Sequence, residues 1–242
     1  MKTDGSIFTV LHVFTGSSSV STNSDGAGPE GELLLSGNTL YGTAALGGIF
    51  GQGTVFALNT NGFGFTNLHN FTGTSDGSYP SGFLVLRGDT LYGTTQYGGS
   101  SRNGTVFAIK TDGTGFTNLY SFTAPTGPLP FTTNSDGANP TGGLTLSGNT
   151  LYGTAAYGGT LGNGTVFSIS LPVLRPSLTI TPLGQNVVLR WSANATGFTL
   201  QATTNLSSSA VWTNCAMPVV INGLYTVTNL ISGTQQFFRL SQ

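Results

Sequence analysis

The stretch "GNTLYGTA", residues 37–44, occurs three times in this chain of 242 residues and decides its fold. It returns as "GDTLYGTT" from Gly88 and as "GNTLYGTA" from Gly148, at spacings of 51 and 60 residues. The phrase "GTVF" follows each copy at the same two spacings. Self-similarity of this kind indicates a repeat architecture, in which stacked units build one continuous core.

One loop of variable length accounts for the unequal spacings. It runs from the last Phe of "LHVFT", "LHNFT" or "LYSFT" to the Asp of the next "SDG", over residues 14–25, 71–76 and 122–136. With the shortest of these loops, from Phe71 to Asp76, the repeat is 51 residues long. A position that tolerates insertions normally lies at a surface, so we expect the loop to be exposed.

Each repeat predicts four short antiparallel strands. Leu33 and Leu35 alternate with other residues, "SGN" makes a tight turn into "TLYGT", and "GTVFALN" and "FTNLHNFT" complete the set. This is the sequence form of a β-propeller blade, and a β-solenoid is the alternative. No helical period is long enough to predict a helix. The predicted fold class is all-β, with three β-propeller-type repeats followed by a small β-sandwich.

The repeat pattern ends near Ser170, and the predicted domains follow from that change. Residues 1–171 form the repeat domain, and the proline-flanked residues 172–176 form a stiff linker. Residues 177–242 show six or seven short strands with Trp191 on the second, which predicts a small sandwich similar to immunoglobulin or fibronectin type III domains.

The repeats form an incomplete set, which predicts an assembly. Residues 3–15 match the last strand of a repeat, whereas the third repeat stops after "GTVFSIS". Three blades are too few for an ordinary closed ring. We expect either a fragment of a longer array or a homo-oligomer, a dimer that completes a six-bladed ring. In that dimer the strand at residues 8–14 would complete the third blade, within or between chains.

Composition excludes several classes of partner. Charged residues make up 6% of the chain and the net charge is −1, so no basic patch is available for nucleic acid. No run of 18 apolar residues predicts a membrane span, and the first residues lack the apolar core of a signal peptide. The single cysteine, Cys215, cannot form an internal disulfide. A surface so poor in Lys and Glu favours a secreted or cell-surface location.

The phrase "TLYGT…GG…GTVF" and the "FT.L..F" that follows resemble the Gloeo–Verruco (GloVer) repeat, over about residues 1 to 170. The resemblance implies a bacterial, extracellular protein, often with a C-terminal sorting signal, which the ending "FFRLSQ" does not match. It implies no established activity. A weaker resemblance links "GDTLYGTTQYGG" to kelch and quinoprotein propellers, without their blade-docking Trp residues.

Carboxylates offer the first candidate sites. Asp25, Asp76 and Asp136 recur in "SDG" and could bind sugar hydroxyls or calcium, or could instead cap a turn. One carboxylate per repeat is too few for calcium, so we expect no metal and no cofactor. Glu30 and Glu32, with Asp76, are the candidates for a pair of catalytic acids of a glycosidase.

Aromatic residues offer the second set of candidates. Tyr97 and Tyr157 precede the double glycines, and Tyr79 lies beside a proline, where rings could stack on sugars or pack between blades. His12 and His69 match Tyr120 in the third copy, which argues for aromatic packing or a surface position rather than catalysis.

Three functions are compatible with these residues. The first is a non-enzymatic extracellular repeat protein that acts as a structural, adhesive or interaction module. The second is a carbohydrate-binding, lectin-like propeller that uses the loop Tyr, Asn and Asp residues, with a glycan or other surface polymer as partner. The third is a polysaccharide hydrolase or lyase that uses carboxylates of the first and second repeats.

Overall fold

The structure, a computed structural model, describes residues 7–16, 22–126, 133–172, 176–193, 195, 197–230 and 235–241. Every regular element within these residues is a β-strand, so the all-β prediction is confirmed. The chain divides into two compact regions, the repeat region Met1–Leu171 and the C-terminal region Pro172–Gln242. The predicted linker falls mainly on residues 173–175, which lie outside the described residues.

Each repeat is a small antiparallel sheet whose strands neighbour one another in chain order. The first repeat contains β1 (Leu34–Ser36), β2 (Thr39–Ala44), β3 (Thr54–Asn59) and β4 (Thr66–Asn70). The second contains β5 (Val85–Arg87), β6 (Thr90–Thr95), β7 (Thr105–Lys110) and β8 (Thr117–Ser121). The third contains β9 (Thr145–Ser147), β10 (Thr150–Ala155) and β11 (Thr165–Ser170). Among the described residues, the third sheet therefore lacks a fourth strand.

A glycine in each second strand makes room for a ring in the third. Gly42 of β2 faces Phe56 of β3 across the sheet. A Cβ atom at Gly42 would lie 2.6 Å from Cζ of Phe56, closer than real Cβ contacts. The same approach recurs between Gly93 and Phe107. The glycine of "LYGT" is therefore needed because any side chain at this position would clash with the ring on the neighbouring strand.

The apolar core of the repeat region lies between neighbouring repeats. Tyr41 of the first repeat belongs to one buried cluster with Leu91 of the second. Tyr92 of the second repeat belongs to the next cluster with Leu151 of the third. The Leu and the Tyr of "TLYGT" thus face opposite sides of the sheet, and each side packs against a neighbouring repeat.

Each repeat therefore has two packing faces. We call the face toward the following repeat the trailing face; in the first repeat it carries Tyr41 and Val55. We call the face toward the preceding repeat the leading face; in the second repeat it carries Leu84 and Leu91. Buried side chains from one trailing and one leading face make up each joint, so the two internal joints are built in the same way.

The leading segment, residues 7–16, forms no strand and lies beside the first repeat. The ring of His12 stacks on Phe65 with centroids 3.9 Å apart, and His69 stacks on Phe116 in the same way at 3.8 Å. The segment thus occupies, relative to the first repeat, the place that β4 occupies relative to the second.

The expectation that residues 8–14 complete the third blade within the chain is wrong for the structure described. Among the described residues β11 pairs only with β10, and no strand forms at residues 8–14. The physical reason is one of position: a fourth strand forms its hydrogen-bond ladder with a third strand, and this segment lies beside the first repeat rather than beside β11. The neighbour of this segment is a sheet whose fourth strand, β4, is already in place.

The C-terminal region consists of two antiparallel sheets. One contains β12 (Thr179–Leu183), β13 (Asn186–Ser192), β17 (Leu224–Leu230) and β16 (Val219–Ile221), in that order. The other contains β15 (Thr213–Asn214), β14 (Thr199–Thr203) and β18 (Phe237–Ser241). Leu189 and Trp191 from the first sheet pack against Leu200 from the second, so the two sheets form a sandwich.

Candidate functional site

The recurring aspartates close the variable loop of each repeat. Asp76 accepts hydrogen bonds from the backbone N–H of Thr72 at 2.9 Å, from the Thr72 hydroxyl, and from Nε2 of His69 at 3.1 Å. Thr72 lies where the loop begins and Asp76 where it ends. We call this arrangement of Asp, Thr and His or Tyr the aspartate clamp.

The other two repeats build the same clamp across loops of different length. Asp25 accepts from Thr15, ten residues earlier, and from Nε2 of His12 at 3.0 Å. Asp136 accepts from Thr123, thirteen residues earlier, and from the hydroxyl of Tyr120 at 2.8 Å. The clamp therefore fixes the two ends of the loop whatever lies between them. These hydrogen bonds join the two ends of the loop, whereas the structural role considered from the sequence was the cap of a local turn.

Burial and hydrogen bonding act in opposite directions on these carboxyl groups. Burial raises the pKa of Asp25, but the hydrogen bonds from Thr15 and His12 together outweigh it and hold the pKa below its usual value of 3.8. The pKa of Asp136 is lowered in the same way, by Thr123 and Tyr120 against burial. These aspartates are therefore ionised acceptors at neutral pH.

Each clamp contains one aromatic residue, His or Tyr, for which the sequence predicted a packing or surface position. Burial lowers the pKa of His69 and outweighs the opposite effect of the Asp76 carboxylate. A neutral His69 can still donate from Nε2 to Asp76 while its ring stacks on Phe116. Burial, followed by the bond to Asp136, raises the pKa of Tyr120, which keeps the hydroxyl proton for the same purpose. His and Tyr are interchangeable here because each has a flat ring with one donor.

Sequence reasoning missed two asparagines that complete the longer loops. The side-chain oxygen of Asn23 accepts from the backbone N–H of Gly26 and of Gly48, at 2.9 and 2.8 Å. Asn134 does the same in the third repeat. In the short loop of the second repeat, the backbone carbonyl of Thr74 takes this place. The signal was available, since "TNSDG" occurs twice and "TSDG" once.

The double glycines allow a close approach between two loops. A Cβ atom at Gly47, whose φ is +71°, would lie 2.5 Å from Oδ1 of Asn23. A side chain at this position would therefore push away the loop that the clamp closes.

The residue before each double glycine is exposed, and we call the three positions the variable row: Leu46, Tyr97 and Tyr157. Each pairs through its backbone with the loop that follows the clamp aspartate. Tyr97 also meets Tyr79, with ring centroids 5.7 Å apart and the rings at 78°. Tyr157 has Asn139 rather than a second Tyr at the corresponding position. The structure thus brings together two of the three predicted tyrosines.

Tyr79 has an unusual backbone conformation for a large side chain, with φ at 59°. Its N–H donates to the carbonyl of Gln52 in the preceding repeat, and its carbonyl accepts from Gln96. Asn139 has the same conformation and donates to Asn103. The joint between repeats holds this conformation, and it sets the direction in which the Tyr79 ring projects.

The remaining candidates are not brought together with the clamp. Glu30 and Glu32 are exposed, and the interactions of Asp76 within the described residues involve neither of them. Cys215 packs partly buried against the C-terminal core, where burial raises the pKa of its thiol. Among the described residues, no group of three or more His, Cys, Asp or Glu side chains could hold a metal ion, and no helix is long and apolar enough to cross a membrane.

Fold and site together define a class: an all-β tandem-repeat protein whose recurring acidic residues close structural loops. A family model described as the Gloeobacter/Verrucomicrobia repeat matches residues 1–181, and the chain belongs to this family. The resemblance found in the sequence is confirmed. No curated protein matches the chain.

One solved structure to which the chain is similar is a crystal structure of a nidogen/laminin complex. The sequences are 18% identical and the TM-score is 0.37. The match covers 64% of this chain and 51% of the other, so this chain spans about half the length of that relative.

Proposed function

We propose that this protein is a non-enzymatic interaction module that presents the variable row on a stiff repeat scaffold. One observation carries the proposal. In each repeat, the Asp, Thr and His or Tyr side chains that could bind a ligand or act in catalysis are hydrogen-bonded to one another in the clamp. What differs between the repeats, and is exposed, is the variable row and the loops beside it.

The clamp leaves the aspartates little capacity for a ligand. Asp25 already accepts from the backbone and the hydroxyl of Thr15 and from His12. Removing any of these donors would leave a buried polar group without its partner. Binding therefore falls to the exposed side chains that these bonds hold in place, in the manner of functional loops on a rigid scaffold.

The experiment measures retention of the purified chain on intact bacterial cells and on insoluble polysaccharides such as cellulose and chitin. We expect the double variant Tyr97→Ala with Tyr157→Ala to lose retention. Phe63→Ala is the matched control, because Phe63 is a ring outside the variable row and is more exposed than either tyrosine. Retention of the double variant at the level of the unaltered chain would contradict the proposal.

A second candidate function, carbohydrate binding, is favoured by the pair of Tyr79 and Tyr97. Two rings at 78° offer one face for stacking on a pyranose and one hydroxyl for hydrogen bonding. Periodate treatment of the cells, which oxidises glycans, separates this candidate from a protein partner, which protease treatment would remove. Loss of retention after periodate alone supports carbohydrate, and Tyr97→Ala should then weaken oligosaccharide binding by about tenfold.

Location and assembly belong to the same proposal. The low charge of the chain suits a secreted or cell-surface protein, and detection of the protein in the culture medium or by surface labelling of intact cells tests this. We also propose that the chain is a homo-oligomer, with a dimer of six blades as the simplest closed form. The incomplete third repeat supports this second proposal.

A further inference from the structure

We propose that the two ends of the repeat region are complementary docking surfaces, and that a second copy of this chain joins head to tail at the third repeat. The leading segment of the second copy adds to β11 as the missing fourth strand. The leading face of its first repeat then covers the trailing face of the third. This inference rests on the proposed role as an interaction module, and it does not depend on which polymer the variable row binds.

The trailing face of the third repeat is a joint surface without its partner. Val55 and Val106 are completely buried by the repeat that follows each of them, whereas Val166 at the same position is 80% exposed. Tyr92 is 7% exposed and Tyr152 is 44% exposed. Val166 and Tyr152 are the same side chains as in the internal joints, and Ser168 stands where those joints have Ala57 and Ala108. What the third repeat lacks is therefore the surface that covers them.

The leading face of the first repeat is uncovered around β1, although Phe56 and Leu58 on the same sheet are buried. Leu84 and Leu144 are 3% and 0% exposed, whereas Leu33 at the same position is 53% exposed. Leu35 is also 58% exposed. The surface that the third repeat lacks is therefore present at the other end of the same chain, with the same residue types as in the two internal joints.

The backbone of the third repeat has a matching vacancy. β4 pairs with β3 and β8 pairs with β7, but among the described residues the corresponding side of β11 has no strand. A groove lies there, lined by Tyr120, Phe122, Val166 and Phe167. The leading segment reads "FTVLHVFT", close to the "FTNLHNFT" that contains β4, and it forms no ladder of its own. Strand addition to a free edge is an established mode of recognition, and it would satisfy both backbones.

One ring contact identifies the register. Phe65 stacks on His12, and Phe116 stacks on His69. The next ring in this series is Tyr120, whose only ring contact among the described residues is with Phe122. The Phe that should stack on it corresponds to Phe8, which is 83% exposed. We therefore place Phe8 of the second copy on Tyr120.

Such a joint is heterologous, because two different surfaces meet. Repeated joints of this kind close into a ring if the rotation permits and otherwise extend into a filament. A ring of two copies would give the six-bladed dimer.

The experiment blocks one end at a time and measures mass by analytical ultracentrifugation over a range of concentrations. Val166→Lys blocks the trailing end, and Phe8→Asp with Leu35→Lys blocks the leading end. Because these side chains are exposed, folding should be unchanged, and circular dichroism checks this. Leu161→Lys is the matched control, since Leu161 is 82% exposed in a loop outside both faces.

We expect the unaltered chain and Leu161→Lys to associate, and each blocked variant to associate at least about tenfold more weakly. An equal mixture of the two blocked variants should form a heterodimer and nothing larger, because each contributes its one intact end. If the unaltered chain remains monomeric, both this inference and the proposed homo-oligomer are overturned. Association that persists in Val166→Lys overturns the docking site alone and leaves the proposed homo-oligomer standing. Retention on cells tests the variable row separately.

Discussion

Asp76 holds together two ends of a loop that differ in sequence position by only four residues, whereas Asp136 does the same over thirteen. The donors are the same in both cases, a Thr backbone N–H, its hydroxyl and one aromatic ring. Because the acceptor in each bond is a side-chain carboxylate, the bond is stronger than one between two neutral groups. The clamp is thus an energetic feature of each repeat as well as a geometric one.

Replacing Asp76 by Ala should destabilise the repeat region. The change leaves the Thr72 N–H and the His69 ring without their acceptor, and the expected loss is about 1–3 kcal/mol of unfolding free energy. Urea denaturation followed by far-UV circular dichroism measures it. Asp89→Ala is the control, because Asp89 is exposed and its carboxylate forms a surface ion pair with Nζ of Lys110 at 3.8 Å. A surface ion pair of this kind contributes little to stability. Equal losses in both variants would refute the clamp.

Stability should fall on mild acidification because of His69. Its pKa is lowered in the folded protein, so the unfolded chain binds the proton more readily. The stabilising contribution is therefore complete above the ordinary pKa of 6.5 and is lost as pH falls below it toward the lower folded value. Urea midpoints measured between pH 8 and pH 5 test this prediction.

The matched variant for this pH effect is His69→Tyr, which copies the residue of the third repeat. Tyr120 shows that a Tyr hydroxyl can donate to the clamp aspartate. The variant should keep its stability at pH 8 and lose less than the unaltered chain at pH 5. If both proteins show the same pH dependence in this window, His69 is not responsible.

A second acid step belongs to the carboxylates. The pKa values of Asp25 and Asp136 are lowered in the folded protein. Their contribution is therefore present above the ordinary value of 3.8 and is lost as pH falls through it toward the folded values. We expect His69→Tyr to retain this lower step, and Asp136→Asn to reduce it in the same urea series.

At the residue scale, the sequence revealed the clamp aspartates but not their partners. "SDG" recurs and is easily found, whereas its partner Thr lies at a distance that changes from copy to copy. A contact at a variable separation leaves no fixed spacing to detect. The exchange of His69 for Tyr120 hid the relation further, because the shared property is one donor on a flat ring.

At the scale of the strands, the "TLYGT" glycine determines how β6 and β7 pack. Gly93 lies opposite Phe107, and that ring is completely buried. A Cβ at Gly93 would lie 2.7 Å from Cζ of the ring. The ring cannot move away without disturbing the joint with the first repeat, where it packs against Phe71.

Gly93→Ala should therefore destabilise the repeat region by about 1–3 kcal/mol through overpacking, although Ala alone is the better strand residue in entropy terms. Gly16→Ala is the control, since nothing lies within 4 Å of a Cβ there. Thermal unfolding of the two variants makes the comparison. A stabilised Gly93→Ala would show that the ring has room to shift.

The strands themselves were largely predictable. "TLYGT" and "GTVF" alternate with period two between glycine turns, and β2 and β3 lie where these phrases do. Residues 8–14 were predicted as a strand because they resemble β4. In the structure these residues form no strand. A strand needs hydrogen bonds to a partner strand, and similarity to β4 in sequence does not supply that partner.

For the molecule as a whole, the apolar clusters at the joints imply stability that adds up from nearest neighbours, as in other repeat proteins. The second repeat packs against a neighbouring repeat on both faces, whereas the first and the third each do so on one. We expect amide hydrogen exchange to be slowest in β6 and β7, faster in β10 and β11, and fastest in the leading segment.

Hydrogen-exchange mass spectrometry with peptides from each repeat measures this order. Protection that is equal in all three repeats would mean that the repeat region unfolds only as a unit. The measurement is repeated at several protein concentrations. If a second copy occupies the β11 edge, the protection of β11 should rise with concentration while that of the other strands stays the same.

The clamp has a consequence for how such a protein can diversify. Since its bonds fix where the loop leaves the sheet and where it returns, the intervening residues can lengthen, shorten or change without altering the frame. The second repeat shows how short the span can be, with Thr72 and Asp76 only four positions apart. Unrelated peptides could be grafted between such anchor points, and natural selection could explore new sequences there while the scaffold stays constant. Within this chain the loops between the anchor points differ in length, while "TLYGT" and "GTVF" recur unchanged in all three repeats.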